Sequence, residues 1–197
     1  ITRPETTEAV IREHPSLIIN TAAMTAVDAC ESNEEAANAV NGLGVQHLAL
    51  AARHLDIPMV HYSTDYVFDG AKKEGYTEND EPRPINAYGR SKLHGEQLLQ
   101  RHATKWHLIR TSYVYGLGGK NIVETFIEIG NTKPELSILI DQFSNTTYAR
   151  DLAEATMRLI TRKAPWGISH MTIEGATNWM DFVKTLYAMT GQAPRLI

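Results

Sequence analysis

Short β-branched runs alternate with longer helical patterns almost from one end of the chain to the other. No other feature constrains the fold as strongly. Strands separated by helices make βαβ units, which lay helices on both faces of a mostly parallel sheet. Thr2-Arg3-Pro4-Glu5 predicts a helix start, with a hydroxyl cap, an early proline and acids in the first turn, running to about His14. Leu17-Ile18-Ile19 reads as a fully apolar strand, as a sheet covered on both faces requires. Ser32-Asn33-Glu34-Glu35 reads as a capping box opening one long Ala-rich helix to about Leu55. Further strands are expected at 58–64, 106–110, 136–140 and 167–172, and helices at 87–102, 122–129, 151–161 and 178–190. Thr177 is the expected cap of the last helix, and Gly191 its end. Residues 69–84 read as a polar loop. The expected class is α/β with a doubly wound parallel sheet.

With 197 residues the chain suggests one domain, or one and a piece. A net charge of −4 argues against a basic nucleic-acid binder. No apolar run approaches the roughly 20 residues needed to cross a bilayer, and no signal-peptide pattern is present, so no membrane partner is expected. Cys30 is the single cysteine, which excludes an internal disulfide and fits a reducing cytoplasm. The eight histidines are scattered without metal-ligand spacing, and no metal site is expected.

Tyr88-Gly89-Arg90-Ser91-Lys92 is the sharpest local signal. Tyrosine and lysine four residues apart share one face of a helix, one turn apart. A phenol titrates near 10, and a nearby ammonium favours its ionised form and brings it towards working range. Such a pair suits protonation of an alkoxide formed when hydride reaches a ketone. Tyr88 is the one tyrosine of eight followed four residues later by lysine. Chance would still place such a pair now and then, so context decides. Ser63-Thr64 stands where a strand ends and a loop begins, the edge at which open α/β sheets bind ligands. A hydroxyl there can hydrogen-bond a substrate carbonyl oxygen, or merely satisfy loop backbone. Asn20-Thr21-Ala22-Ala23-Met24-Thr25 also follows a strand, and its small residues suit either close approach of a planar cofactor or plain packing. Gly42-Leu43-Gly44 lies in a helical pattern and Gly116-Leu117-Gly118-Gly119 lacks GxGxxG spacing, so neither is expected to cradle a phosphate.

These segments, together with Val40-Asn41, Ser63-Thr64-Asp65-Tyr66-Val67-Phe68-Asp69-Gly70, Arg110-Thr111-Ser112-Tyr113-Val114-Tyr115-Gly116 and Asp141-Gln142-Phe143, occur in one order. In that order the chain resembles the extended short-chain dehydrogenase/reductases, and among them the dTDP-4-dehydrorhamnose reductase family, over essentially its whole length. The resemblance implies a Rossmann-like dinucleotide-binding part over residues 1–140 and a smaller substrate-binding region over 141–197. It implies NADPH as cofactor, with NADH the alternative, and reduction of dTDP-4-dehydro-L-rhamnose to dTDP-L-rhamnose. Tyr88 is then the proton donor. Lys92 lowers its pKa and holds the nicotinamide ribose, and Thr64 polarises the C4 carbonyl. Asp65 lies beside Thr64 in the substrate pocket, Ala23, Met24 and Thr25 line the cofactor, and Tyr113 contacts the sugar nucleotide. The family commonly has Trp where Tyr113 stands, and Gly and Pro within the segment here written Asp141-Gln142-Phe143-Ser144-Asn145-Thr146-Thr147.

The family's first strand and glycine-rich turn fall before Ile1 and part of its substrate region after Ile197, so the fold is expected to be incomplete at both ends. Two other readings stay open: a non-catalytic regulatory subunit like that of methionine adenosyltransferase, and a related nucleotide-sugar reductase or epimerase. Homodimerisation also stays open.

Overall fold

The computed structural model describes residues 1–197. Along the chain, α1 (Glu5–Arg12) precedes β1 (Ile18–Asn20), then α2 (Val27–Ser32), α3 (Glu34–Asn38), a π-turn at Ala39–Leu43 and α4 (Gly44–Leu55). Next come β2 (Met59–Thr64), a 3₁₀ turn at Asp65–Val67, α5 (Ala87–His102), β3 (Trp106–Thr111) and β4 (Val114–Tyr115). The remainder is α6 (Ile122–Thr132), β5 (Glu135–Leu136), β6 (Phe143–Ser144), β7 (Thr147–Tyr148), α7 (Ala149–Thr161), β8 (Gly167–His170), β9 (Thr177–Asn178), α8 (Trp179–Thr190) and β10 (Arg195–Leu196).

Packing gathers these elements into two compact units. The first is Ile1–Thr111 with Pro165–His170, the second Ser112–Ala164 with Met171–Ile197. The break after β3 has a simple cause: the chain leaves at Ser112 and returns at Pro165 to add β8 beside β3.

In the first unit the strands are parallel in the order β1-β2-β3-β8, the sheet expected of βαβ units. One face is packed by α4 and α5, where Val45, Leu48, Ala49, Ala52 and Leu99 meet Ile18, Met59 and Leu108. α1 packs against α4, with Val10 and Ile11 on the edge of that core. Alanines at 49, 51 and 52 let the helix lie close to the strands. α4 ends at Asp56, which adopts the left-handed conformation at φ 55°. α5 starts at Asn86, whose side chain accepts from the Gly89 amide at 2.8 Å.

The second unit holds α6, α7 and α8 with three two-stranded pairings, β4 with β7, β6 with β9 and β5 with β10. Tyr187 of α8 lies against α6: its hydroxyl donates to the Phe126 carbonyl at 2.9 Å, and its ring fills the space beside Gly130. α8 ends at Gly191, left-handed at φ 79°.

Several expectations are corrected. The single helix from Ser32 to Leu55 is three segments with a π-turn, and Asn33, not Ser32, caps α3 by accepting from Ala36 at 3.0 Å. α2 lies where no helix was expected. The strand expected at 136–140 is only Glu135–Leu136, paired with Arg195–Leu196. Thr177 and Asn178 both form β9, opposite Ser144 and Phe143, and it is Asn178 that caps α8, its side chain accepting from the Asp181 amide.

Candidate active site

At the C-terminal end of β2 the chain turns sharply through Asp65–Val67. The Thr64 hydroxyl anchors this turn, accepting from the Tyr66 amide at 3.2 Å and donating to the Asp65 carboxylate at 3.1 Å. Facing this turn is Tyr88, at the start of α5. Tyr66 stands edge-on to the Tyr88 ring, 5.6 Å between centroids. Burial pushes the Tyr88 phenol up to about 12, against the downward pull of the neighbouring Thr64 side chain.

Lys92 lies one turn along and is buried, its ammonium donating to the Tyr62 carbonyl at 2.6 Å. Burial lowers it to about 8, while the charge of Glu96 works in the opposite direction. Burial outweighs the downward pulls on the Tyr88 phenol in this geometry. The phenol stays neutral, and the ammonium is committed to a carbonyl. Behind Lys92, Glu96 is fully buried and accepts three hydrogen bonds: from Ser63 at 2.5 Å, and from Arg110 Nε and Nη2 at 3.0 and 2.7 Å. Arg110 lies over the Phe68 ring, 5.0 Å from its centroid. This ion pair braces β2, β3 and α5 directly beneath Thr64.

Asn41, in the π-turn, is a second brace. Its amide exchanges hydrogen bonds with both backbone groups of Met24, at 2.8 and 2.9 Å, and also donates to Ser91 at 2.9 Å. Ser91 in turn donates to the Tyr88 carbonyl at 2.8 Å. The π-turn aims the Asn41 side chain at both partners, as inserted turns in helices often do at functional positions. The Ala22–Thr25 segment is thus fixed to the helix that carries Tyr88 and Lys92. Asn20 holds the foot of that segment. Its side-chain oxygen accepts from the Ala22 amide, so its NH₂ faces His61 Nδ1 at 3.1 Å. His61 is fully buried, which with the neighbouring Lys92 charge holds it well below the usual imidazole range and neutral.

These groups fit the nicotinamide end of a dinucleotide. An ammonium carries three donors and one is committed here, next to a strand-end segment of small residues with a pinned backbone. Ala23 and Met24 are half-buried and Thr25 is exposed. Gly42 lies within the π-turn against Asn38 and His94, and the Gly116 and Gly119 carbonyls are both bonded to the Asn121 side chain.

Tyr113 lies in the second unit, in the left-handed conformation at φ 38°. Its ring stands edge-on to Trp179 at 4.3 Å, and its hydroxyl accepts from Gln142 at 3.0 Å. Asn41, Glu96, Arg110, Gln142 and Trp179 had no assigned role in the sequence. The Lys92–Glu96 spacing of one helical turn is the signal that could have exposed Glu96.

Residues 1–197 match the RmlD substrate binding domain family. The spore coat polysaccharide biosynthesis protein SpsK of Bacillus subtilis is 40% identical over 177 residues, 90% of this chain and 62% of its own length. The dTDP-4-dehydrorhamnose reductase of Burkholderia thailandensis is 39% identical over 201 residues, 98% of this chain and 67% of its own length. This chain thus spans about two thirds of those relatives or slightly less. The crystal structure of dTDP-4-dehydrorhamnose reductase from Bacillus anthracis in complex with NADP superposes with a TM-score of 0.94 at 34% identity, over 100% of this chain and 70% of that one. By the family match along its whole length and by these relatives, the chain belongs to the RmlD substrate-binding-domain family.

Proposed function

We propose that this chain carries the reducing centre of a dTDP-4-dehydrorhamnose reductase, acting on dTDP-4-dehydro-L-rhamnose to give dTDP-L-rhamnose. NADPH is the proposed cofactor, with NADH as the alternative. The observation that carries this reading is the placement of Tyr88 at the start of α5, edge-on to Tyr66 in the turn after Thr64 and one helical turn from the buried Lys92 ammonium.

The reaction adds hydride and a proton to the C4 carbonyl, and the reduced nicotinamide supplies the hydride. A ketone oxygen placed between Thr64 and Tyr88 accepts from both hydroxyls once Thr64 turns its proton away from Asp65, which stabilises the negative charge developing there. Tyr88, neutral because it is buried, gives its proton to that oxygen. The phenolate left behind lies one turn from Lys92, whose charge stabilises it. The spare ammonium donors of Lys92 hold the nicotinamide ribose, and Ala23, Met24 and Thr25 line the cofactor. Asp65 fixes Thr64 and faces the substrate, and Tyr113 contacts the sugar nucleotide. The division of labour between residues 1–140 and 141–197, homodimeric assembly and a cytoplasmic location belong to the same proposal.

The test uses protein produced from the complete gene, supplied with dTDP-4-dehydro-L-rhamnose and NADPH. Loss of reduced-nicotinamide absorbance should match formation of dTDP-L-rhamnose mole for mole. A folded protein that binds the cofactor but turns over no 4-keto sugar nucleotide would overturn the reading in favour of a non-catalytic role.

A further inference from the structure

Three side chains of the second unit form a hydrogen-bond relay whose direction is fixed by chemistry. Trp179 Nε1 donates to Gln142 Oε1 at 3.0 Å. An indole N–H can only donate, so the Gln142 amide must turn its oxygen to Trp179 and its NH₂ to the other side. There Gln142 Nε2 donates to the Tyr113 hydroxyl at 3.0 Å. Towards Gln142, then, Tyr113 is an acceptor, and its own proton is directed away from the amide. The ring has little freedom to change this. Its backbone is left-handed, a conformation bulky residues adopt only when their surroundings over-determine it. The Tyr113 carbonyl accepts from the Thr147 amide at 3.3 Å, and the ring stands edge-on to Trp179. Trp179 itself is wedged between Phe126 and Phe182, with centroids at 5.8 and 5.7 Å.

We infer that Gln142 and Trp179 are positioning residues that set the donor direction of the Tyr113 hydroxyl, and thereby the discrimination among hydroxyl patterns on the pyranose it meets. This rests on the proposal that Tyr113 contacts the sugar nucleotide. A directed hydroxyl accepts one arrangement of sugar oxygens and rejects another, because a mismatched pair leaves a polar group unsatisfied.

Gln142→Glu is the decisive variant. A carboxylate only accepts, so it takes the Trp179 N–H as before but now also the Tyr113 proton, reversing the hydroxyl. With dTDP-4-dehydro-L-rhamnose and NADPH, KM for the sugar nucleotide should rise about tenfold, while kcat and NADPH affinity stay within about twofold. In a Tyr113→Phe background the same substitution should add nothing, because no hydroxyl remains to be turned. The relay is also read without turnover: the Trp179 indole N–H resonance, assigned with Trp179→Phe, should shift in Gln142→Leu and stay in place in Tyr113→Phe. An unmoved indole resonance in Gln142→Leu, an unchanged KM in Gln142→Glu, or an equal KM rise in the Tyr113→Phe background would each overturn the inference. Parallel losses of kcat and cofactor affinity would overturn it too, as the mark of a merely structural role. Wild-type protein that turns over no sugar nucleotide would refute the proposed function instead, and the indole resonance would still decide the relay.

Discussion

The ion pair beneath the site makes a strong demand on the fold. Glu96 is fully buried and Arg110 is 3% exposed, so Glu96→Leu leaves a guanidinium in the interior with its two best partners gone. Arg110 Nη1 already lacks a hydrogen-bond partner, and the Phe68 ring and the exposed Glu78 carboxylate are left to offset the charge. Removing one member of a buried pair costs about 3–5 kcal/mol. The Ser63 hydroxyl, which loses its acceptor, adds about 1 kcal/mol. Against a total stability of about 5–15 kcal/mol, the single variant should lose roughly a third of its stability or more. Glu96→Leu combined with Arg110→Met removes both charges and should recover most of the loss, less the contact with Phe68. Urea denaturation of wild type, both singles and the double gives the four stabilities, provided the dependence on denaturant is unchanged. A cost below about 1 kcal/mol for Glu96→Leu, or a double variant no more stable than the singles, would refute the reasoning.

Four other outcomes are expected. Tyr88→Phe keeps the ring and removes the proton, so turnover should fall about 10²–10⁴-fold with little change in melting temperature; an enzyme retaining more than half its rate speaks against the role. Because burial lowers Lys92 to about 8, its ammonium is lost as pH rises through that value, whereas Tyr88 at about 12 stays protonated. The alkaline limb of kcat/KM for NADPH should therefore lie near pH 8, and one that survives Lys92→Met unchanged has another origin. A Cβ on Gly89 would lie 2.1 Å from the Tyr66 carbonyl oxygen, so Gly89→Ala must push the Asp65–Val67 turn away from α5. It should lower the melting temperature by roughly 3–10 °C and weaken turnover, and a fully active, equally stable variant would contradict the close approach. His61, held neutral by burial, stays unprotonated while the unfolded chain takes up a proton below about pH 6.5, so acidification should destabilise the fold. His61→Gln should flatten the fall in urea midpoint between pH 7 and pH 5, and an unchanged slope would assign the effect to other groups.

Where local chemistry agrees with tertiary structure, the sequence is informative. Ile18, Met59-Val60 and Leu108-Ile109 are apolar because they lie inside the sheet, and their short runs mark β1, β2 and β3. Gly191 ends α8 because it reaches the left-handed region without strain. The misses occur where a long-range contact decides. Thr177 and Asn178 are both good caps and both enter β9 against Phe143–Ser144, and it is the Asn178 side chain that reaches the Asp181 amide. Residues 34–55 read as one helix despite Asn38, Asn41, Gly42 and Gly44, weak helix formers that do not by themselves specify a π-turn. Its value lies in the reach of Asn41 to Met24 and Ser91, 17 and 50 residues away. Tyr88 and Lys92 stand out because one helical turn links them. Arg110 and Glu96 sit on different elements, and Trp179 and Gln142 are 37 residues apart, so only the folded chain joins them.

α5 shows why the polar part of such a site escapes a reading based on hydrophobic periodicity. Its buried residues include Gly89, Ser91, Lys92, Gly95 and Glu96, with apolar side chains only at Ala87, Leu98 and Leu99. By periodicity alone this face would be assigned to solvent. It is tolerable inside because each polar group has a partner: Ser91 has Asn41 and the Tyr88 carbonyl, Lys92 the Tyr62 carbonyl, and Glu96 has Arg110 and Ser63. Gly89 and Gly95 complete the arrangement. A Cβ at either would lie 2.1 Å from a backbone oxygen, of Tyr66 and Asn41 respectively, so these glycines admit the two segments that bracket the helix. One brings the turn after Thr64 against Tyr88, and the other brings the Asn41 turn to Ser91. A leucine-rich face at these positions would contribute more hydrophobic stabilisation, yet it could neither hold a neutral phenol against a threonine hydroxyl nor keep an ammonium one turn below it. The composition of α5 follows from the proton transfer proposed for it rather than from the needs of the core.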